Sequence, residues 1–179
     1  MLRQLSFIEM DAAAAVHRAA YDDRLPWLAG RHAPDQDRWY FRERVFPACT
    51  VWGALEGTEI VGIIAFREDW IDQLYVLPNS QGHGWGTALL NVAKSAFARL
   101  HLWTFQRNHL ARRFYEARGF VLIRQTDGAA NEEKEPDALY LWNRLARNQQ
   151  VIVAHRETPT TGRPAQRSIP ARSAIPPPA

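Results

Sequence analysis

The sequence predicts an α/β fold in which a mixed, mostly antiparallel central sheet is flanked by helices on both faces, and three observations point there. Residues 50–55, 60–66 and 70–77 are strand-like runs joined by short charged turns, the pattern of an antiparallel meander. The middle run, from Ile60 to Phe66, is apolar at nearly every position. A strand with one wet face alternates apolar and polar residues, so this one needs cover on both sides. Segments of helical periodicity before and after the meander supply that cover.

In chain order, residues 3–8 set Leu5 and Phe7 against Arg3, Gln4 and Ser6 as a short strand, and Asp11 is placed to cap an alanine-rich helix over 12–20. A loop marked by Pro26, Gly30 and Pro34 leads to a helix over 35–46, with Trp39, Arg42 and Phe46 at helical spacing and Pro47 as its stop. After the meander, a Gly-rich turn at 81–86 feeds a helix through Ala98 that faces the sheet with Leu89, Ala93 and Ala96, and a strand follows at 100–105. Asn108 caps a further helix ended by Gly119 in the C′ position, and strands at 120–125 and 138–145 complete a domain spanning 1–147. Six of the eleven prolines fall in the last 29 residues. Such a composition cannot bury enough to order itself, so 148–179 is expected to be a disordered tail.

The basic charge balance belongs to that tail. Of 22 Lys and Arg and 19 Asp and Glu, residues Arg156, Arg163, Arg167, Arg172 and Glu157 lie beyond position 150, leaving 18 of each sign before it. The domain therefore has no net field to draw it onto nucleic acid or an anionic membrane. Cys49 is the only cysteine, which excludes an intrachain disulfide framework and a cysteine-based zinc site. No signal-like h-region follows the N-terminus and no run approaches ~18 apolar residues, so a cytoplasmic location is expected. The six histidines lack H-x-x-x-H or H-E-x-x-H spacing, and no metal is expected.

Chemistry concentrates where a strand runs through Gln81-Gly82-His83-Gly84-Trp85-Gly86 directly into a helix. Helix N-termini expose unpaired N–H groups and a partial positive charge, and glycine lets a phosphate approach the backbone. A Walker A loop would need Gly-Lys-Ser/Thr, which is absent. A dinucleotide fingerprint would need G-x-G-x-x-G in a parallel βαβ unit, whereas here G-x-G-x-G follows an antiparallel meander. What the segment does resemble is the acetyl-CoA loop of the GNAT superfamily of N-acetyltransferases, Q/R-x-x-G-x-G/A, with Gln81, Gly84 and Gly86 at matching positions. Downstream, residues 108–120 resemble that family's N-x-x-A-x-x-x-Y-x-x-x-G-F helix through Asn108, Ala111, Tyr115, Gly119 and Phe120.

The resemblance covers residues 1 to about 145 and implies acetyl-CoA as co-substrate. It implies cofactor contacts from the strand residues Leu74, Tyr75 and Val76, from the loop residues Gln81, Gly82, His83, Gly84, Trp85, Gly86 and Thr87, and from Asn108, Ala111 and Tyr115. Independently of it, Asn108, Ala111 and Tyr115 are spaced i, i+3 and i+7 on one helix face, with Leu110 and Phe114 expected towards the core. The alternatives are a plain N-cap at Asn108 and a core aromatic at Tyr115. A phenol with a pKa near ~10 can protonate a leaving thiolate, so Tyr115 suits the general-acid role that the resemblance implies. The family's oxyanion contact is a strand N–H, expected here within residues 74–77, where a bulge would splay two strands.

An ammonium acceptor must lose a proton before it attacks, and Asp72 stands where several GNAT enzymes carry a carboxylate acting directly or through water. The alternative for Asp72 is a solvent-facing strand carboxylate beside Glu68 and Asp69. The acceptor expected is a small-molecule primary amine attacking acetyl-CoA directly. Glu133 and Asp137, in the acidic segment 127–137, and Trp27, in the loop between the first two helices, are the candidate contacts. A homodimer is compatible with this reading. The competing functions are a CoA-binding sensor without turnover and a protein or peptide amino-group acetyltransferase.

Overall fold

The computed structural model describes residues 1–145; the expected tail at 148–179 lies outside the described residues. Leu2–Gln4 (β1), Thr50–Glu56 (β2), Glu59–Arg67 (β3) and Trp70–Val76 (β4) pair successively antiparallel. Arg99–Phe105 (β5) meets β4 in parallel. Val121–Gln125 (β6) takes the far edge, and Asp137–Asn143 (β7) inserts between β5 and β6, antiparallel to both. The sheet order is β1-β2-β3-β4-β5-β7-β6, which bears out the mixed, mostly antiparallel expectation.

Helices cover both faces. Met10–Arg24 (α1) and Pro34–Tyr40 (α2), the latter passing through a π turn at Phe41–Val45 into Phe46–Ala48 (α3), lie on one side. Their core joins Met10, Ala13 and Phe41 to Ile63 and Ala65 of β3. Trp85–Ala96 (α4) and His109–Glu116 (α5) lie on the other, where Leu89, Leu90 and Tyr115 meet Ile64 and Phe66 of the same strand. The continuous apolar run in β3 is thus the signature of two buried faces. No helix among the described residues is long and apolar enough to cross a membrane.

Three local expectations need correcting. The first strand is shorter than predicted, because the Ser6 backbone N–H and hydroxyl both donate to the Glu9 carboxylate and turn the chain into a 3-10 segment at Phe7–Glu9. Asp11 sits inside the first turn of α1, paired with Arg42 rather than capping the helix. The β-bulge in β4 is at Asp72, not at 74–77: Ala65 pairs with Gln73 and Phe66 with Ile71, which leaves Asp72 as the extra residue.

Beyond that bulge β4 parts from β5. The two strands share one parallel pair, Trp70 with His101, where the His101 N–H donates to Asp69 O at 2.7 Å. Further along, β4 stays on β3 and β5 stays on β7, so a wedge opens between them.

Glycine geometry in the β6–β7 loop offers a stability test. Gly128 has φ +80, and a Cβ there would lie 2.4 Å from the Glu135 backbone; Gly57, at φ +59, has open space around it. Gly57→Ala should therefore cost only the left-handed backbone penalty, about 1 kcal/mol. Gly128→Ala should cost at least about 2 kcal/mol more, because rigid backbone must move. Urea unfolding of both variants checks this, and equal losses would contradict the packing of that loop.

Candidate active site

The wedge is a cleft of about 450 Å³. Backbone register determines what its β4 wall presents. The Leu77 N–H donates to Val61 O, so alternation directs the polar groups of Gln73 and Tyr75 towards β3 and those of Leu74 and Val76 into the gap. Gln81 Nε2 takes up Val76 O at 3.0 Å. The N–H groups of Leu74 and Val76 face the cleft, placed to bond an extended ligand or an oxyanion.

At the end of β4 the chain turns through Gly82 and Gly84, whose φ angles are +81 and +88, into α4. Gly84 is its N-cap, and the first intrahelical bond runs from Ala88 N to Gly84 O. The N–H groups of Trp85, Gly86 and Thr87 are accordingly left without helical acceptors, an anion-binding geometry. Gly86 also fixes the approach of α5, since a Cβ there would lie 3.3 Å from the Phe114 ring. The Trp85 indole donates to Glu56 at 2.6 Å.

Two arginines outside the loop complete this end of the cleft, and sequence reasoning missed both. Arg24, at the end of α1, bonds Gln81 Oε1 at 2.5 Å, so the Gln81 amide ties β4 to α1. Arg118, just past α5, grips Thr87 Oγ1 through Nε and Nη2 at 3.0 and 2.6 Å and stacks 3.7 Å over the Phe114 ring. Both line the cleft. Nothing local in the sequence marks either residue; only the contacts across elements do.

The α5 wall presents Asn108, Ala111 and Tyr115 as their spacing predicts. Asn108 Oδ1 caps the helix by accepting from Ala111 N at 3.1 Å, and the residue also borders the cleft. The helix is fastened to β7 by Tyr140, whose hydroxyl donates to Glu116 at 2.6 Å and accepts from Arg112 at 3.0 Å. Phe114 packs against the core, but Leu110 is 50% exposed at the cleft rim, contrary to expectation. Tyr115 is buried beneath the cleft surface, and burial, with a smaller contribution from Tyr75, pushes its phenol above the ordinary value.

A second recess opens on the α1 side of β4 and shares Ile71, Asp72, Gln73, Tyr75 and Trp103 with the cleft. Asp72 Oδ2 accepts from Arg67 Nε at 2.6 Å and from Cys49 Sγ at 3.2 Å. Burial first, then the Asp72 charge, raises the Cys49 thiol, which removes it as a nucleophile. His17 forms the floor, edge-on to Tyr75 at 4.7 Å, with Nδ1 lacking a hydrogen-bond partner; burial drives its pKa down to about 3. Asp37, also buried, lies 2.5 Å from Arg18, yet burial outweighs that charge and its carboxyl is raised.

The remaining expected residues divide. Glu133 lines the second recess. Asp137 does not: it is buried at the start of β7, bonded to Thr126 Oγ1 and to Asn131 Nδ2 at 3.0 Å. Trp27 lines neither recess and lies on the outside under the Arg107 guanidinium, 4.2 Å from the ring centre. His83 is exposed and away from the cleft lining. Trp103, not anticipated, stands at the junction.

A profile of the acetyltransferase (GNAT) family matches residues 15–120. Among curated proteins, the chain is similar to the probable N-acetyltransferase Rv2775 of Mycobacterium tuberculosis, 39% identical over 86 residues, or 43% of this chain and 49% of that protein. The matched part thus spans about half the length of that relative. Among solved structures, the fold is similar to the apo form of YjaB from Escherichia coli, with TM-score 0.68 and 20% identity over 79% of this chain and 96% of that one. It is also similar to the PaiA N-acetyltransferase of Thermoplasma acidophilum in complex with coenzyme A, with TM-score 0.60 and 19% identity over 80% and 98%. At these identities the structural likeness is one of fold.

His17 gives the site a pH signature. Its folded pKa of about 3 lies below the ordinary 6.5, so the unfolded chain binds the extra proton between those values. This contribution to stability is complete above pH 6.5 and falls by up to about 1.4 kcal/mol per pH unit as pH drops towards 3. His17→Leu should flatten the acid limb of stability against pH, measured by urea melts at pH 7, 6, 5 and 4. An unchanged slope would mean that His17 is not held neutral by burial.

Proposed function

The chain belongs to the acetyltransferase (GNAT) family, and from that premise we propose that it transfers acetyl from acetyl-CoA directly to the primary amine of a small molecule. One observation carries this reading: two recesses of different character meet at Asp72, Tyr75 and Trp103. The cleft, with the α4 N-terminus, Arg24 and Arg118, suits a long polyanionic co-substrate. The recess on the other side collects carboxylates and suits a cation. Acetyl-CoA supplies an activated thioester acetyl group.

The fit of that co-substrate rests on the chain's own atoms. The N–H groups of Trp85, Gly86 and Thr87 would hold the pyrophosphate, and Gly84, whose Cβ position faces open space, leaves room for its approach. The inward N–H groups of Leu74 and Val76 would bond the extended arm and the developing oxyanion. Tyr115 would donate its proton to the departing sulfur; its raised pKa keeps the phenol protonated at working pH. Asp72, whose Oδ2 is already engaged by Arg67, would receive the ammonium proton through water at its other oxygen. With the single cysteine half-buried and its thiol raised, attack by the amine itself is preferred to an acyl-enzyme.

Free-CoA release from acetyl-CoA with a broad amine panel tests the reading, and absence of acetyl-CoA binding at millimolar concentration would overturn it. Tyr115→Phe should lower kcat by about 10²-fold or more, with the acetyl-CoA KM within about threefold. Asp72→Asn should lower kcat/KM most at low pH, where the amine is most fully protonated. A Tyr115→Phe enzyme with full kcat would assign the proton to another donor.

A further inference from the structure

The recess beside Asp72 constrains the acceptor more closely than the transfer reading on which this inference rests. We infer that the acceptor is an arylalkylamine, a primary ammonium on a compact aromatic body, rather than an amino acid, a polyamine or a peptide.

Size comes first. The recess holds about 100 Å³, where ~10–15 Å³ suffices for one water, so it takes on the order of eight non-hydrogen atoms. The walls come second. Tyr21, Tyr40, Trp70, Tyr75 and Trp103 line it, and the His17 imidazole closes the floor uncharged. Aromatic walls gain both from burying a ring and from a nearby cation. A neutral imidazole adds no repulsion to an ammonium.

Charge weighs against the zwitterion. Asp22, Asp37, Asp72, Glu132 and Glu133 line the recess against Arg18, Arg31 and Arg67, an excess of negative charge. Each arginine is directed at the protein. Arg18 meets Asp37 at 2.5 Å and His32 O at 2.6 Å, and Arg67 meets Asp72 at 2.6 Å. Arg31 donates to the Glu132 and Glu133 carbonyls at 3.3 and 3.5 Å. A substrate carboxylate would compete with Asp37 and Asp72 for the guanidinium groups that hold them and would face the surplus of negative charge, whereas an ammonium is favoured by it.

The Arg31 contacts also bridge two walls of the recess. With His32 3.6 Å from Glu132, they join the loop after α1 to the β6–β7 loop across the recess. A peptide or polyamine extending beyond its reacting amine would outgrow the recess and meet that bridge, whereas a compact arylalkylamine matches its volume.

The test is free-CoA release by the full chain with phenethylamine, benzylamine, propylamine, putrescine, alanine and a tripeptide. The expected result is a kcat/KM for phenethylamine at least about tenfold above every non-aromatic amine. A better polyamine, amino acid or peptide would overturn the acceptor class while leaving the transfer reading intact; no turnover with any amine would sink the transfer reading itself. Trp70→Leu, which alters the recess but not the cleft lining, should bring the phenethylamine-to-propylamine ratio to within about threefold with the acetyl-CoA KM unchanged. Equal losses for both amines would mean that Trp70 acts on folding alone, and would overturn its role as a recognition wall.

Discussion

Strand β4 is bonded to β3 along its length but to β5 through one residue pair, Trp70 with His101, and the site is built in the space this leaves. A bulge of one residue at Asp72 re-aims β4 just where the two strands separate. Parting costs hydrogen bonds: an unmet buried backbone group costs about 1–3 kcal/mol. The Gln81 side chain recovers one of them by binding Val76 O, and Arg24 holds Gln81 in that position. What remains on β4 is a short row of N–H donors facing a gap, which is of use only to a ligand with acceptors along its length. The wedge is therefore both a defect in the sheet and the reason for its retention.

The wedge also separates two fields. Arg24, Arg118 and the α4 N-terminus give the cleft a positive end, and the carboxylates of the neighbouring recess give the other side a negative one. On the proposed reading, a polyanionic donor and a cationic acceptor enter by different mouths, each attracted to its own and repelled from the other. Asp72 stands at the boundary. Its ion pair with Arg67 keeps a carboxylate there without a net charge that would repel a thioester donor.

The parts of the site that sequence made legible are those governed by local rules. The α4 N-terminus follows from glycine spacing after a strand, and the Asn108, Ala111, Tyr115 face follows from helical repeat. The strands of the meander follow from their apolar runs. For Asp137 and Trp27 composition does not reveal which way the side chain turns: Thr126 and Asn131 draw Asp137 inward, and Arg107 holds Trp27 outside both recesses. Helical phase points Leu110 towards the core, but α5 presents that flank to an open cleft rather than to another layer. Arg24, Arg118 and Trp103 were missed because their significance lies in contacts between elements distant in the chain. The bulge was expected, but two residues of register separate its expected and actual places, a difference that only strand pairing decides.

Burial of Tyr115 raises a question of driving force, since a phenol pushed up by desolvation is a weaker acid. The same apolar surroundings act on any thiolate formed beside it, raising that anion's proton affinity as well. The difference between donor and acceptor then depends less on the absolute shift of the phenol than on how equally the two share the low-dielectric wall. Tyr75 makes that sharing local: it contributes to the Tyr115 shift, lines both recesses, and is braced edge-on by an uncharged His17. On the proposed reading, a charged His17 would repel an ammonium held in the recess that it lines. An uncharged imidazole beside Tyr75 thus leaves the acceptor side of the proposed transfer to Asp72 and its neighbouring carboxylates.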